Sequence, residues 1–183
     1  MLPPRTCPDD VVRLATQTLA ENRVAVFIVC YNAERHIEEV LGRIPDWVSG
    51  KLAEVFVIDD SSQDGTVQRA VAAEWTHAGV PLRIFRTPYN QGYGGNQRLG
   101  FLYAIAQDFD IVVLLHGDGQ YAPEFLPDIL AEYSGPQGAD AVSYTHLNPK
   151  LVEWAYCLLY TSGSMGSILH ANLGNPGSLA KKH

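Results

Sequence analysis

Three polar side chains at alternate positions, His116, Asp118 and Gln120, follow directly after the apolar run 111–115. Such a run is typical of a strand buried on both faces, and ligands of open α/β sheets bind beyond the carboxyl ends of the strands. A carboxylate, an amide carbonyl and an imidazole could together hold a divalent cation against a phosphate. A polar turn that ends a strand would have the same composition. These residues alone therefore indicate either a metal–phosphate site or a turn.

Polar residues also follow three earlier apolar segments that have the character of strands. They are Tyr31 and Asn32 after residues 24–30, Asp59 and Asp60 after residues 54–58, and Asn90 and Gly92 after residues 81–87. Apolar residues at helical spacing come after each cluster, so strands and helices alternate along the chain. This alternation predicts an α/β fold with a mostly parallel, doubly wound sheet and helices on both faces. Because parallel strands end at a common edge, we expect the clusters to share one cleft.

The sequence divides into three regions. Residues 1–22 are predicted to form an N-terminal helical extension, with a helix from about residue 9 to about residue 21. Residues 23–142 are predicted to form one ligand-binding domain, which ends with a fifth strand over residues 139–142. Residues 143–183 are atypical, with many Gly and Ser residues and little periodicity, and we expect poor order there. The helix after Gly92 is expected to bury its apolar positions Leu99, Leu102, Tyr103 and Ala106.

The composition restricts the classes of function. The chain has 183 residues, 46% of them hydrophobic, and a formal net charge of −7, which fits one folded domain and does not indicate a nucleic-acid surface. Its three cysteines contain no CxxC pair, so we expect reduced thiols and no zinc site. A secretory signal and a membrane-spanning segment are not recognisable, and we expect a cytoplasmic location.

The paired carboxylates Asp59 and Asp60 could bind a metal, a ribose or the N–H edge of a base. Helix capping is the alternative, but Ser62 or Asp64 is better placed for that role. A second acid adds repulsion unless a hydrogen-bond donor is supplied. We therefore assign Asp60 to ligand contact and regard Asp59 as partly structural.

The glycines after Asn90 are similar to a phosphate-binding loop, but glycine loops are weak evidence by themselves. A dinucleotide-binding GxGxxG motif would follow the first strand, and the turn after Cys30 contains no glycine. The spacing GxxxxGK followed by Ser or Thr is also missing. A nicotinamide enzyme and a P-loop ATPase are therefore disfavoured.

Taken together, the motifs resemble family 2 glycosyltransferases of the GT-A fold, and in particular the dolichyl- or polyprenyl-phosphate sugar transferases. Four strings occur in the family's order over residues 24–142, namely VFIVCYNAER, VIDDSSQDGT, YNQGYGGNQRLG and LLHGDGQYAPEFLP. One such string would be a weak signal, whereas four in order are highly specific. The resemblance implies a nucleotide-sugar site formed by Tyr31, Asn32, Glu34, Asp59, Asp60, Asn90 and Gly92.

The resemblance also implies a metal site for Mn²⁺ or Mg²⁺. Asp118 matches the second acid of the family's DxD motif, which makes it the candidate catalytic residue, and Gln120 matches the glutamine that follows. His116 stands where the first acid of the motif is usual. An imidazole is an acceptable ligand without negative charge, so we expect a lower and pH-dependent metal affinity.

By this resemblance the chain is an inverting glycosyltransferase that takes a sugar from a UDP- or GDP-sugar, with a polyprenyl phosphate as a candidate acceptor. The family normally continues with an acceptor-binding half, and the full-length parent is expected at the cytoplasmic face of a membrane. Here the strings SYTHL and CLLYTS look like translated sequencing-adapter DNA. We therefore expect a fragment of low or no activity, truncated after about Val142. A non-catalytic nucleotide-binding or interaction module on the same fold is the alternative.

Overall fold

The computed structural model describes residues 7–48, 50–120, 122–133 and 159–161. Its helices are α1 (Asp9–Glu21), α2 (Ile37–Gly42), α3 (Thr66–Ala72), α4 (Gly92–Ala106) and α5 (Leu126–Tyr133), and short 3-10 turns cover Asp46–Val48 and Pro123–Phe125. Its strands are β1 (Val24–Cys30), β2 (Glu54–Asp59), β3 (Leu82–Arg86), β4 (Ile111–His116) and β5 (Leu159–Thr161).

The strands form one sheet in the order β3-β2-β1-β4-β5. The first four are parallel to one another, which confirms the predicted α/β fold, and β5 pairs antiparallel with β4. This last strand lies in the region 143–183, where the sequence predicted little order. The strand predicted over residues 139–142 lies outside the described residues, as does most of the region after Val142.

Strand β1 is apolar along its whole length, and β2 and β4 are apolar except at their ends, because both faces of the sheet are covered. Successive side chains of β1 alternate between two cores: Val26 and Ile28 pack on the side of α1, α2 and α5, whereas Phe27 packs on the side of α4. The rings of Phe27 and Phe56 stack at 4.9 Å between centroids. This two-sided burial fixes the strand ends from which the polar clusters project.

Helix α4 packs on the sheet through a different face from the one predicted. Leu99, Leu102 and Ala106 are exposed, while Tyr103 is half-buried against Phe56 as expected. The buried residues are instead Asn96, Gln97, Gly100 and Ala104. The reason is a close approach of the helix to β1, since a Cβ atom on Gly100 would lie 2.1 Å from the Phe27 ring. Small and polar residues can face the sheet there, and leucines cannot.

Candidate functional site

A cleft of about 340 Å³ lies at the carboxyl ends of the parallel strands, beside the first turns of α4. It brings together predicted site residues from all four polar clusters, namely Tyr31, Asp60, Asn90, Gly92, His116 and Asp118. Val29, Cys30, Tyr93 and Asn96 complete its lining. The predicted residues Asn32, Glu34, Asp59 and Gln120 lie nearby but do not line it.

Asp60 connects the end of β2 to the loop that precedes α4. Its side chain is buried, and its Oδ1 accepts hydrogen bonds from the Gln91 backbone N–H at 2.8 Å and from the Thr87 hydroxyl at 3.1 Å. Its own N–H donates to the Cys30 carbonyl oxygen at 2.8 Å. A carboxylate held by two donors in this way keeps its orientation toward the cleft.

Asp59 is fully buried behind the cleft. Its Oδ2 accepts the Ser62 backbone N–H at 3.0 Å, its Oδ1 accepts the Ser62 hydroxyl, and Arg86 Nε lies 3.5 Å from Oδ2. These bonds shape the turn after β2, in agreement with the partly structural role that the sequence suggested. Ligand contact by Asp59 stays a prediction.

Asn32 and Glu34 join the loop after β1 to the loop after β2. Asn32 has a left-handed backbone with φ of 50°, its N–H donates to the Ser62 hydroxyl at 2.8 Å, and its Oδ1 accepts the Gln63 N–H at 3.0 Å. Glu34 Oε2 accepts the Gly65 N–H at 3.1 Å. These cross-links position Tyr31, which stands half exposed on the rim of the cleft. Direct nucleotide contacts by Asn32 and Glu34 stay predictions.

The string His-Gly-Asp-Gly-Gln is a strand end followed by a tight turn. Strand β4 ends at His116, Gly119 has a φ of +77°, and Asp118 Oδ1 accepts the Gln120 N–H at 3.0 Å. Strand alternation therefore ends at His116 and does not by itself place Gln120 on the same side as His116. His116 and Asp118 face the cleft, whereas a metal contact by Gln120 stays a prediction.

His116 has a defined neighbour within the cleft. Its Nε2 lies 2.8 Å from the Tyr93 hydroxyl, which in turn accepts a hydrogen bond from Gln97 Nε2 at 2.7 Å. Burial lowers the pKa of His116 to about 4, although the charge of Asp118 acts in the opposite direction. The imidazole is therefore neutral near pH 7, which is the form that can ligate a metal.

The lowered pKa of His116 predicts a sensitivity to acid. A proton binds the unfolded imidazole at an ordinary pKa near 6.5 and the folded one only near 4, so stability is lost as the pH falls through this window. We expect His116→Asn to lose less stability than the wild type between pH 7 and pH 4.5, as measured by urea unfolding. His36→Asn, at an exposed histidine, is the control. The buried His77 is present in all three proteins, so its effect on stability is the same in each. If both variants lost the same stability between pH 7 and pH 4.5, the lowered pKa of His116 would be contradicted.

The cleft residues fit a cation that takes part of its ligands from a bound phosphate. Among the described residues, His, Cys, Asp and Glu side chains form no group of three that could enclose a metal by themselves. Mn²⁺ and Mg²⁺ are commonly held by one or two protein side chains together with substrate phosphates and water. Asp118 supplies a hard carboxylate oxygen and His116 a neutral nitrogen, so the donor set suits such a shared site.

Sequence reasoning missed Cys30, Tyr93 and Asn96 as parts of the cleft. Asn96 is fully buried, its Nδ2 donates to the Ile58 carbonyl oxygen at 2.9 Å, and its Oδ1 has no hydrogen-bond partner among the described residues. Burial also raises the pKa of the Cys30 thiol, so this group is a neutral part of the wall. The signal for Asn96 in the sequence is its place one helical turn before Gly100, and the structure shows that both residues face the sheet.

The family of the chain follows from a comparison with known proteins. The family model described as "Glycosyl transferase family 2" matches residues 25–172. The chain belongs to glycosyl transferase family 2. The match confirms the resemblance of the four motif strings, and it extends past Val142, where that resemblance was expected to end.

Family 2 relatives include enzymes named for lipid-phosphate acceptors. The chain is 31% identical over 138 residues to the undecaprenyl-phosphate mannosyltransferase of Micrococcus luteus. The aligned region covers 72% of this chain and 52% of the relative. It is 29% identical over 108 residues to the dolichol-phosphate mannosyltransferase of Pyrococcus furiosus, covering 59% of this chain and 29% of the relative. The chain thus spans about half or less of these relatives.

Solved glycosyltransferase structures share the fold. The mannosyltransferase PcManGT of Pyrobaculum calidifontis, in complex with GDP-Man and Mn²⁺, is 24% identical with a TM-score of 0.54, over 69% of this chain and 41% of that one. Glucosyl-3-phosphoglycerate synthase of Mycobacterium tuberculosis, in complex with Mn²⁺, UDP and phosphoglyceric acid, is 21% identical with a TM-score of 0.59. This match covers 84% of our chain and 61% of that chain. At this identity the likeness establishes the GT-A fold. Within the described residues of our chain, the helices are all too short or too polar to cross a membrane.

Proposed function

We propose that this chain carries the donor-binding half of an inverting glycosyltransferase that transfers a sugar from a UDP- or GDP-sugar. One observation carries the proposal: Tyr31, Asp60, Asn90 and Asp118 follow four different parallel strands, and they all line one cleft. Ligands of open α/β sheets bind at this edge. The family match and the sugar-nucleotide complexes of the solved neighbours support the donor class.

In this proposal each cleft residue has a role in holding the donor. Asp60 contacts the base, and Tyr31 lines the nucleotide pocket from the rim. Asn90 and Gly92 close over the ribose and the sugar, and Asn90 Oδ1 already accepts the Gly92 N–H at 2.9 Å, which keeps this loop compact. The donor therefore lies across the strand ends, with its diphosphate toward β4.

Asp118 and His116 would hold Mn²⁺ or Mg²⁺ at the diphosphate, with Gln120 as a further candidate ligand. The bound cation would supply Lewis-acid stabilisation of the negative charge on the leaving diphosphate. Asp118 keeps its carboxylate at this place because its Oδ1 is fixed by the turn that contains Gly119. The protein thereby provides a prearranged site for charge that develops in the reaction.

A polyprenyl phosphate is the acceptor class that the names of the relatives support. A phosphate oxygen of such a lipid can attack the anomeric carbon without a protein base. The new C–O bond forms as the bond to the diphosphate oxygen breaks, with inversion at that carbon. A full-length enzyme of this kind would work at a membrane surface, which we propose as a peripheral contact at the cytoplasmic face.

Donor titrations with and without Mn²⁺ test the proposal. UDP-glucose and GDP-mannose would be titrated by calorimetry into the full chain, and we expect one of them to bind more tightly when Mn²⁺ is present. Binding that Mn²⁺ does not enhance would instead favour a non-catalytic nucleotide-binding module. If neither compound binds under either condition, the donor site is refuted.

Asp60→Ala is expected to weaken donor binding by roughly 10- to 100-fold, because it removes a charged hydrogen-bonding partner from the cleft. Calorimetric titration of the preferred nucleotide sugar measures the loss, and thermal melting checks the fold. Thr87→Val is the matched control, since it removes one hydrogen bond to Asp60 and keeps the carboxylate. Equal losses in the two variants would show that Asp60 serves only to anchor the loop.

A further inference from the structure

Tyr93 and His116 meet inside the cleft at the place proposed for the cation. Tyr93 belongs to the first turn of α4, and His116 is the last residue of β4. The Tyr93 hydroxyl lies 2.8 Å from His116 Nε2, and the two rings are 5.1 Å apart between centroids. Asp118 lines the same cleft two residues further along the chain.

The hydrogen bond between Tyr93 and His116 leaves no free lone pair on His116 Nε2, whichever of the two groups donates. If the hydroxyl donates, it occupies the Nε2 lone pair, and if Nε2 carries the proton, no lone pair is present there. Gln97 is buried, and its Nε2 donates to the Tyr93 oxygen at 2.7 Å. Because a side-chain N–H cannot accept, Gln97 does not take the hydroxyl proton, which favours donation by the hydroxyl to His116 Nε2.

Tyr93 is half exposed, so solvent lies beside it into which its side chain can turn. A cation needs the lone pair of a ring nitrogen, and Nε2 becomes available only when the hydroxyl turns away. We propose that Tyr93 competes with the divalent cation for His116 Nε2 and so sets the metal affinity of the site. This inference rests on the proposed function, since it takes Asp118 and His116 as ligands of the cation.

Tyr93→Phe tests the competition, because it removes the hydroxyl and keeps the ring against His116. We expect Mn²⁺ to bind roughly 2- to 10-fold more tightly, the range that the loss of one competing hydrogen bond corresponds to. The readout is the electron paramagnetic resonance signal of free Mn²⁺, titrated with the full chain alone and again with saturating UDP or GDP. Tyr89→Phe is the control, since Tyr89 is exposed and does not line the cleft. Unchanged or weaker Mn²⁺ binding by Tyr93→Phe would overturn the inference.

A double-mutant cycle separates this inference from the proposed function. In a His116→Ala background the gain from Tyr93→Phe should vanish, because the contested nitrogen is absent. A gain that persists without His116 would overturn the competition while leaving the metal site intact. If the wild type binds Mn²⁺ neither alone nor with UDP or GDP, the proposed metal site itself is refuted and the competition with it. Melting curves of all four proteins check that each is folded.

Discussion

Asp118→Ala is expected to abolish the part of donor binding that depends on a divalent cation. Asp118 offers the only carboxylate that β4 and its turn place in the cleft of the described structure, and it is the hard oxygen ligand that we propose for the cation. Mutation of a residue that only hydrogen-bonds to a metal ligand typically lowers metal affinity by about 10- to 100-fold. Loss of the ligand itself should therefore lower it by about 100-fold or more. Titration of the preferred nucleotide sugar with and without Mn²⁺ measures the effect.

The same substitution at an exposed aspartate is the control for Asp118→Ala. Asp10 is exposed in the first turn of α1 and lies outside the cleft, and Asp10→Ala changes the net charge by the same amount. We expect this variant to keep its Mn²⁺-enhanced binding. Retention of that enhancement by Asp118→Ala would remove Asp118 from the metal site.

Among the substitutions proposed in this chain, Gly100→Ala is expected to lower the free energy of unfolding the most. The new Cβ would lie 2.1 Å from one atom of the buried Phe27 ring and 2.3 Å from another, so helix and strand would have to separate. Overpacking of this kind costs about 1–3 kcal/mol, and urea unfolding measures it. Since α4 also carries Tyr93 and Asn96 into the cleft, we expect weaker donor binding as well.

A second glycine of the same helix gives a matched control. A Cβ at Gly94 would meet nothing within 4 Å, and its φ is not in the left-handed range. Gly94→Ala should therefore leave stability unchanged or raise it by up to about 1 kcal/mol, because alanine favours a helix. If the two variants proved equally stable, α4 would not pack on Phe27 as closely as described.

The polar cluster after each strand could be predicted because it depends on local sequence. Apolar strands that end in Asp60, Asn90 or Asp118 are recognisable from the order of residue types alone. The parallel sheet then brings these ends to one edge, so six predicted residues were found together in the cleft. Periodicity was a poorer guide for α4, because the close contact between Gly100 and Phe27 decided which face is buried.

By itself, the sequence determined the α/β fold, the family and most of the cleft, because strand runs, turns and motif strings are properties of neighbouring residues. Only the tertiary structure decided what His116 contacts. Its polar partner Tyr93 lies 23 positions away in sequence and reaches it because α4 packs against β1, which neighbours β4 in the sheet. A contact between side chains on separate elements depends on how those elements pack, which no local pattern records. In our proposal, the histidine at the position where an acid is usual therefore has Tyr93 as a competitor for its lone pair.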